Sequence, residues 1–262
     1  MTWIEALILG LLQGLTEFLP VSSSGHLEIG SAIFGLQEEN LTFSIIVHGA
    51  TFLSVIVVFR NDILNLITGL LKFEWNDETK FILLLIISAL PVGIVGVLFK
   101  SQIESLFEGN ILLVGSMLLI TSMLLLLTNF APNKKKDITL KSSIIIGLAQ
   151  TIAILPGISR SGATISTALY LGIDREKATR FSFLMVLIPI FGASFLEILD
   201  LASATEPSAI ATSSLLIGAV AAFFSGLLAC SWMLKIVKKG KLAYFSAYTA
   251  LAGATAIYFA LF

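Results

Sequence analysis

The sequence predicts an all-α polytopic membrane protein with six transmembrane helices and two re-entrant helical hairpins, arranged as two inverted-topology repeats. Hydrophobic residues fill 56% of the 262 positions and charged residues only 13%, about half the share that is typical of a soluble domain. Six apolar runs reach the roughly 20 residues needed to cross the hydrocarbon core, and two further apolar stretches are broken in the middle. We therefore expect a single membrane domain over residues 1–262.

The six predicted spans fall into two groups of three along the chain. They are Leu41–Phe59, Phe81–Phe99, Ile111–Phe130, Phe181–Leu199, Ala209–Leu234 and Leu242–Phe262. Each broken stretch has two short apolar segments separated by proline, glycine and serine, which disfavour one continuous helix. These stretches are Ile4–Leu19 with Leu27–Leu36, and Ser142–Leu155 with Ala163–Ile173. Each pair is typical of a re-entrant hairpin that enters and leaves the membrane on the same face.

A repeat becomes visible when the sequence is compared with itself at a shift of 137 positions, which lays GLLQGLTEFLPVSSSG over GLAQTIAILPGISRSG. The matched pairs are Gly10 with Gly147, Gln13 with Gln150, Ser22 with Ser159, Ser24 with Ser161, Gly25 with Gly162 and Gly35 with Gly172. We interpret residues 1–131 and 132–262 as two repeats, each a hairpin plus three spans. Because three crossings reverse direction, the second repeat is expected to be inverted, with its hairpin entering from the opposite face.

The positive charges predict the orientation of the chain. Fourteen of the 16 Lys and Arg residues lie in four loops, at 60–80, 131–141, 172–180 and 235–241. These loops share one face of the predicted topology, and loops rich in Lys and Arg stay in the cytoplasm. Both termini and the opening of the first hairpin are therefore expected on the outer face, and the second hairpin is expected to enter from the cytoplasm.

The break in each hairpin, called its tip below, carries small polar residues. The second helix of each hairpin begins at the tip, so its free backbone N–H groups point towards the membrane centre and favour an anion. Arg160 adds a planar, permanently charged fork that suits a phosphate group. We predict a buried phosphate site at the two tips. Besides Arg160, its expected residues are Ser22, Ser23, Ser24, Gly25, Ser159, Ser161 and Gly162.

Three further side chains, those of Glu17, Ser23 and His26, indicate catalysis in addition to phosphate binding. Glu17 shares a helical face with Gln13, and a carboxylate beside a phosphate is expected to be a general base, a metal ligand or the partner of a histidine. His26 is a candidate nucleophile or general acid, and Ser23 is a candidate hydroxyl nucleophile with Glu17 or His26 as its base. The spacing of these residues does not decide among the alternatives. His48, within the first full span, fits a hydrogen-bonded core histidine and a cavity-lining residue equally well.

Two segments, QGLTEFLPVSSSGH and PGISRSGAT, resemble the signature motifs of the bacterial undecaprenyl-diphosphate phosphatase family, the bacitracin-resistance proteins. Gln13 and Glu17 fill the family's [Glu/Gln]-x-x-x-Glu element, and 156–164 fill its Pro-Gly-x-Ser-Arg-Ser-x-x-Thr element. The resemblance covers essentially the whole chain. It implies a multi-pass enzyme of the bacterial plasma membrane that hydrolyses undecaprenyl diphosphate to undecaprenyl phosphate and inorganic phosphate. This reaction recycles the lipid carrier of peptidoglycan synthesis and gives bacitracin resistance.

The resemblance also implies roles for individual residues. By motif position the catalytic core is Glu17, Ser23, His26 and Arg160, and the surrounding residues are Ser22, Ser24, Ser161 and Thr164. The family is similar to Mg²⁺- or Ca²⁺-dependent enzymes, so Glu17 is also an expected metal ligand, and no organic cofactor is expected. Gln13 stands where many members have a glutamate, which weakens any mechanism that requires two carboxylates on one cation.

A transporter is the alternative function. Inverted repeats with broken helices also build alternating-access transporters, and the same midplane site would then bind and flip a polyprenyl phosphate without breaking a bond. A transporter has little use for Glu17, Ser23 and His26 beside its phosphate cradle, so we favour the phosphatase. The expected partners are a polyprenyl diphosphate and membrane lipids but not nucleic acid. A homodimer is compatible with the sequence but not specified by it.

Overall fold

The computed structural model describes residues 1–36, 41–107, 109–132, 134–193 and 210–262, and all regular secondary structure within these ranges is helical. Short 3₁₀ turns follow two of the helices, at Ser105–Phe107 and Thr128–Phe130. The α-helices are α1 (Trp3–Phe18), α2 (Ser23–Ile33), α3 (Leu41–Val58), α4 (Arg60–Leu70), α5 (Asp77–Leu98), α6 (Lys100–Glu104), α7 (Ile111–Leu127), α8 (Leu140–Ile152), α9 (Arg160–Tyr170), α10 (Arg175–Met185), α11 (187–193), α12 (Thr212–Lys238) and α13 (Ala243–Leu261).

Two pairs of short helices occur where the sequence predicts breaks. In the first pair, α1 and α2 are separated by residues 19–22, the first tip, which contains Pro20. In the second pair, α8 and α9 are separated by residues 153–159, the second tip. The helices of each pair pack against each other. The predicted interruptions therefore occur within a few residues of their expected positions.

Four helices are long and apolar enough to cross a membrane, within the residues that the structure describes. They are α5, Ile111–Phe130, α12 and α13. A fifth candidate is α3, which continues into α4 after a bend of 74°. The expectation that 60–80 is a loop is wrong for the first half of this segment, because Arg60–Leu70 forms the amphipathic helix α4. The predicted span Phe181–Leu199 extends beyond the described residues, and its described part is helical except for a turn at Val186.

The long helices bury only part of their apolar surface inside the protein. Only 17% of the most apolar stretch of α5 is buried, and 44% of that of α12. Large exposed side chains follow the outer faces, such as Ile94 at 56%, Leu228 at 71% and Leu251 at 70% exposure. So much exposed hydrocarbon is stable only in contact with lipid. The chain is therefore an integral membrane protein.

The first helix of each short pair crosses a long helix from the other half of the chain. Helix α1 packs along α12, and α8 packs along α5. A Cβ added to Gly10 would lie 2.3 Å from the Gly218 carbonyl oxygen, and one added to Gly147 would lie 2.4 Å from that of Ser88. Small residues let membrane helices approach backbone to backbone in this way. Gly10 and Gly147 are matched positions of the two predicted repeats, although the residues they meet, Gly218 and Ser88, are not matched at the shift of 137 positions.

We expect Gly147→Ala to destabilise the protein by about 1–3 kcal/mol, because a methyl group at this position forces α8 away from the α5 backbone. Denaturation by sodium dodecyl sulfate in mixed micelles measures this change. Gly93→Ala is the matched control on α5, because a Cβ at Gly93 meets no atom within 4 Å. That control is expected to be neutral or to stabilise by up to about 1 kcal/mol. Equal destabilisation by both substitutions would contradict a close crossing at Gly147.

The four basic loops meet at one end of the protein. The chain around 172–180 contacts each of the other three, through Lys177–Asp137, Arg180–Asp62 and Lys238–Glu176. The backbone also links two of the loops, since the Lys136 N–H donates to the Gly172 carbonyl at 3.0 Å. The positively charged segments therefore share one end of the molecule, as the sequence predicts.

Candidate active site

Each tip ends in a serine that caps the helix after it. The Ser22 Oγ accepts the backbone N–H three residues later at 3.3 Å, and the Ser159 Oγ does the same at 3.1 Å. The hydroxyls of Ser24 and Ser161 each lie 3.3 Å from the capping oxygen of their own tip. Such side-chain caps satisfy N–H groups that the first turn of a helix leaves unpaired. The matched sequence positions therefore adopt matched local geometry.

The two tips meet inside the protein. The Ser161 Oγ donates to the Leu19 carbonyl at 3.2 Å, and a Cβ at Gly25 would lie only 3.1 Å from the Gly157 Cα. Gly157 has a φ of 98°, a region that favours glycine, and its carbonyl accepts the Thr121 hydroxyl at 2.9 Å. Small residues at the tips thus allow the start of α2 and the start of α9 to approach the same point.

Glu17 receives donors from both tips. Its side chain is 4% exposed, and its Oε2 accepts the Ser23 hydroxyl at 2.5 Å and the Gln13 Nε2 at 3.1 Å. Its Oε1 accepts from Arg160, and the His48 Nε2 lies 3.9 Å from Oε2. Ser23 and Arg160 are the first residues of α2 and α9, and they coincide at the repeat shift of 137 positions. The first residue of α2 and the first residue of α9, one from each half of the chain, therefore both donate to the same buried carboxylate.

A cavity of about 290 Å³ opens beside Glu17. Its polar wall contains seven of the predicted site residues: Glu17, Ser22, Ser23, Ser24, His48, Ser159 and Arg160. The lining also includes apolar side chains, among them Val92, Ile158 and Ile190. A cavity that combines an arginine, hydroxyl groups and two helix N-termini with hydrocarbon suits an anionic head group that carries an apolar chain.

His26 is not among the described residues that line the cavity beside Glu17. The Ser22 carbonyl can only accept, so His26 Nδ1 carries the proton of their 2.7 Å hydrogen bond, and Nε2 accepts the Tyr248 hydroxyl at 2.8 Å. The two rings also stack, with centroids 5.5 Å apart. Ser22 has a φ of 70° and a ψ of 97°, which is strained for a residue other than glycine. The His26 ring thus holds the strained turn from which Ser23 projects.

We expect Tyr248→Phe to lower the free energy of unfolding by about 1 kcal/mol, because His26 loses its hydrogen bond at Nε2. The stacked ring is retained, so a larger loss is not expected. Tyr258→Phe is the matched control, since Tyr258 lies on the same helix and is 60% exposed. Chemical denaturation in micelles compares the two. A Tyr248→Phe protein as stable as the control would show that the hydroxyl does not support His26.

Four other predicted phosphate-binding residues lie behind the cavity wall. The Thr164 hydroxyl donates to the Arg160 carbonyl at 2.9 Å and lies 2.6 Å from the Ser182 Oγ on α10. Ser161, Gly25 and Gly162 form the capping and inter-tip contacts: Gly162 packs against Pro20, and its N–H is bound by the cap. The structure therefore brings these residues to the tips but not to the cavity lining.

Two residues without a predicted role lie in the site region. Gln150 lines the cavity, and Tyr248 binds His26. The repeat alignment contained a signal for Gln150, because it matches Gln13. Tyr248 carried none, since a tyrosine on an apolar helix is common and its partner lies 222 residues away in the chain.

Among the residues that the structure describes, the donors at the site do not form a protein-built site for Mg²⁺ or Ca²⁺. These ions prefer several oxygen ligands, often two or more carboxylates. Glu17 is the one carboxylate among the described residues that line the cavity, and its oxygens already accept from Arg160, Ser23 and Gln13. No group of three or more His, Cys, Asp or Glu that could hold a metal occurs in the described part of the chain.

These features define a class: an integral membrane protein with a buried acid–serine–arginine site beside an apolar wall. A family model described as "Bacitracin resistance protein BacA" matches residues 6–255. The chain is 53% identical to the "Undecaprenyl-diphosphatase" of Christiangramia forsetii, over 98% of this chain and 97% of that protein. It is 52% identical to that of Bacteroides fragilis over 98% of both chains, and 38% identical to "Undecaprenyl-diphosphatase 2" of Bacillus thuringiensis over 98% and 97%. The chain belongs to the bacitracin resistance protein BacA family.

Proposed function

We propose that this protein hydrolyses undecaprenyl diphosphate to undecaprenyl phosphate and inorganic phosphate. Relatives at 51–53% identity are named for this activity. The observation that carries the proposal in the structure is the contact of Ser23 and Arg160 with one buried carboxylate, Glu17, beside an apolar wall. The reaction returns the lipid carrier to peptidoglycan synthesis. The transporter alternative is not supported, because the relatives are named as diphosphatases.

Ser23 is the proposed nucleophile. Its hydroxyl donates to Glu17 Oε2 at 2.5 Å, which supports Glu17 as the base that removes the proton. The Ser23 oxygen then bonds to the terminal phosphorus while the anhydride bond breaks, and undecaprenyl phosphate leaves with the bridging oxygen. Glu17 holds the proton during this step. In the alternative mechanism Glu17 activates a water molecule that attacks the terminal phosphorus directly. No covalent bond between Ser23 and phosphorus then forms.

Arg160 and the two helix N-termini stabilise the charge that develops on the transferred phosphoryl group. A guanidinium has five N–H donors, so Arg160 can bond a phosphoryl oxygen while it is paired with Glu17. Glu17 releases the Ser23 proton to solvent once undecaprenyl phosphate has left. In the second step water attacks the phosphoserine, and Glu17 accepts a proton from that water and transfers it to the Ser23 oxygen, which leaves as a hydroxyl while the P–O bond to Ser23 breaks. Inorganic phosphate is the second product.

His26 acts through Ser22 in this proposal. Its ring nitrogens bond the Ser22 carbonyl and the Tyr248 hydroxyl, which supports a positioning role for the turn that presents Ser23. From its sequence position His26 is also a candidate nucleophile or general acid. Either of these roles requires the ring to leave both partners and turn towards the cavity.

A requirement for Mg²⁺ or Ca²⁺ stays a prediction, and no step above passes through a cation. Addition of a chelator to the purified protein, followed by titration of each ion, tests the requirement. Restoration of phosphate release by one ion would support it.

We also propose the finer topology. The chain has six spans and two re-entrant hairpins, arranged as inverted repeats at 1–131 and 132–262. Both termini lie on the outer face, and the site opens to that face. The close crossings at the matched positions Gly10 and Gly147 and the ion pairs that join the basic loops support this topology. A membrane-impermeant maleimide should label Thr2→Cys in intact cells and Lys135→Cys only after permeabilisation. The native Cys230 is fully buried and should not react. The homodimer stays an expectation that mass measurement in detergent tests.

The activity itself is tested with purified protein in detergent and undecaprenyl diphosphate, by measuring release of inorganic phosphate and undecaprenyl phosphate in equal amounts. Glu17→Gln is the negative control, because it removes the proposed base with little change in shape. Absence of phosphate release from the folded wild-type protein, with and without divalent cations, would refute the proposed function.

A further inference from the structure

Gln150 has a buried amide without a partner. It lies on α8, is 2% exposed, and lines the same cavity as Glu17 and Arg160. Neither its Nε2 nor its Oε1 forms a hydrogen bond with any residue that the structure describes. Buried side-chain amides are nearly always hydrogen-bonded, so an amide with two unpaired ends beside a cavity indicates a ligand.

The matched residue in the first half of the chain shows why Gln150 is unpaired. Gln13 Nε2 donates to Glu17 one helical turn later, at 3.1 Å. The residue one turn after Gln150 is Ile154, which also lines the cavity and offers no polar atom. The same amide is therefore bound to a carboxylate in one repeat position and faces the cavity without a carboxylate in the other.

We infer that Gln150 binds the diphosphate head group, with Nε2 donating to a phosphoryl oxygen. The inference rests on the proposed function and adds to it a neutral donor from the α8 wall of the cavity. An ionised phosphate only accepts hydrogen bonds, so Oε1 serves a different group and accepts from a water molecule next to the phosphoryl group. Arg160 from α9 and Gln150 from α8 would then bind the same head group.

The test compares binding and stability in one set of variants. The probe is a non-hydrolysable farnesyl bisphosphonate, in which a methylene replaces the bridging oxygen, and the readouts are its affinity and the thermal unfolding midpoint. Gln150→Leu should weaken probe binding by about 10- to 100-fold, because it removes a hydrogen bond to a charged group. Its unfolding midpoint without probe should equal or exceed that of the wild type, because a buried unpaired amide is replaced by hydrocarbon.

Gln150→Glu keeps the size of the side chain and should weaken binding further, because a carboxylate repels the phosphoryl oxygens. Gln150→Asn keeps the amide and covers the case in which the leucine variant does not fold; it should bind the probe with intermediate affinity. Ser143→Ala is the control on the same helix: Ser143 is fully buried but donates to the Leu84 carbonyl. This control should lower the midpoint and leave probe affinity unchanged.

Wild-type affinity in both Gln150→Leu and Gln150→Asn would overturn the inference, because the amide would then only fill space. The proposed function fails separately, since it requires phosphate release by the wild-type protein and this test measures binding alone. A wild-type protein that hydrolyses its substrate, together with a leucine variant that binds and turns over within twofold of it, would refute the role of Gln150 only.

Discussion

Replacing Arg160 with alanine is expected to reduce phosphate release by at least about 10²–10³-fold and to destabilise the protein by about 3–5 kcal/mol. The two effects have different causes. Activity falls because Arg160 no longer stabilises the charge on the transferred phosphoryl group. Stability falls because the Glu17 side chain is 4% exposed, and its carboxylate is left buried without its cationic partner. Arg160→Lys keeps a charge but loses the planar fork, so it should recover stability better than activity. Steady-state kinetics and denaturation in mixed micelles measure the two losses.

The double variant Glu17→Gln with Arg160→Met separates the two effects. It removes both charges and keeps similar side-chain volumes, so most of the stability should return while phosphate release stays absent. Glu17→Gln alone should cost less stability than Arg160→Ala, because Arg160 is 21% exposed and can reach water when it is unpaired. A double variant as unstable as Arg160→Ala would contradict a buried ion pair at the tips.

Replacing Ser23 with alanine is expected to lower phosphate release by about 10³-fold or more, with little change in stability. The hydroxyl bonds only Glu17 among its recorded contacts, and Glu17 keeps Arg160 and Gln13 as partners. Acid quenching of a reaction with substrate labelled in the terminal phosphate should yield labelled wild-type protein and unlabelled Ser23→Ala protein. The trapped label should lie on the peptide that contains Ser23.

Ser116→Ala is the control for that experiment, because Ser116 is half-buried on α7 away from the cavity lining, and its hydroxyl donates to its own helix at the Leu112 carbonyl. It should retain wild-type activity. Retention of more than a tenth of the activity by Ser23→Ala, without a labelled intermediate in the wild type, would favour direct attack by water that Glu17 activates.

The tips could be predicted from sequence because their requirements are local. Prolines and glycines interrupt helices wherever they stand, and a serine before a helix start is a cap signal. The pairing of Glu17 with Arg160 spans 143 residues, yet the internal repeat placed both at tips, since matched segments adopt matched positions. Local chemistry and internal symmetry thus predicted most of the polar cavity wall.

The direction of His26 and the roles of Gln150 and Tyr248 required the structure. His26 follows the Ser22 turn, whose positive φ rotates the start of α2, and a sequence pattern does not reveal that a serine adopts this conformation. Gln150 is the same residue type as Gln13, but only Gln13 has a carboxylate partner. The residue four positions after Gln13 is Glu17, whereas the residue four positions after Gln150 is Ile154. Helix α4 was missed because its polar residues resemble a loop, and its formation depends on packing against α5.

The crossing of α1 with α12 sets an order of events during synthesis. Helix α1 leaves the ribosome first, but the helix that receives it begins at Thr212, near the end of the chain. Arg160 follows Glu17 by 143 residues, which corresponds to roughly 7–30 s at about 5–20 residues per second. During that interval the Glu17 carboxyl group is in or beside the bilayer without Arg160, its cationic partner. The proposed site is thus completed late in translation, and a chain truncated before α12 is expected to lack the helix against which α1 packs.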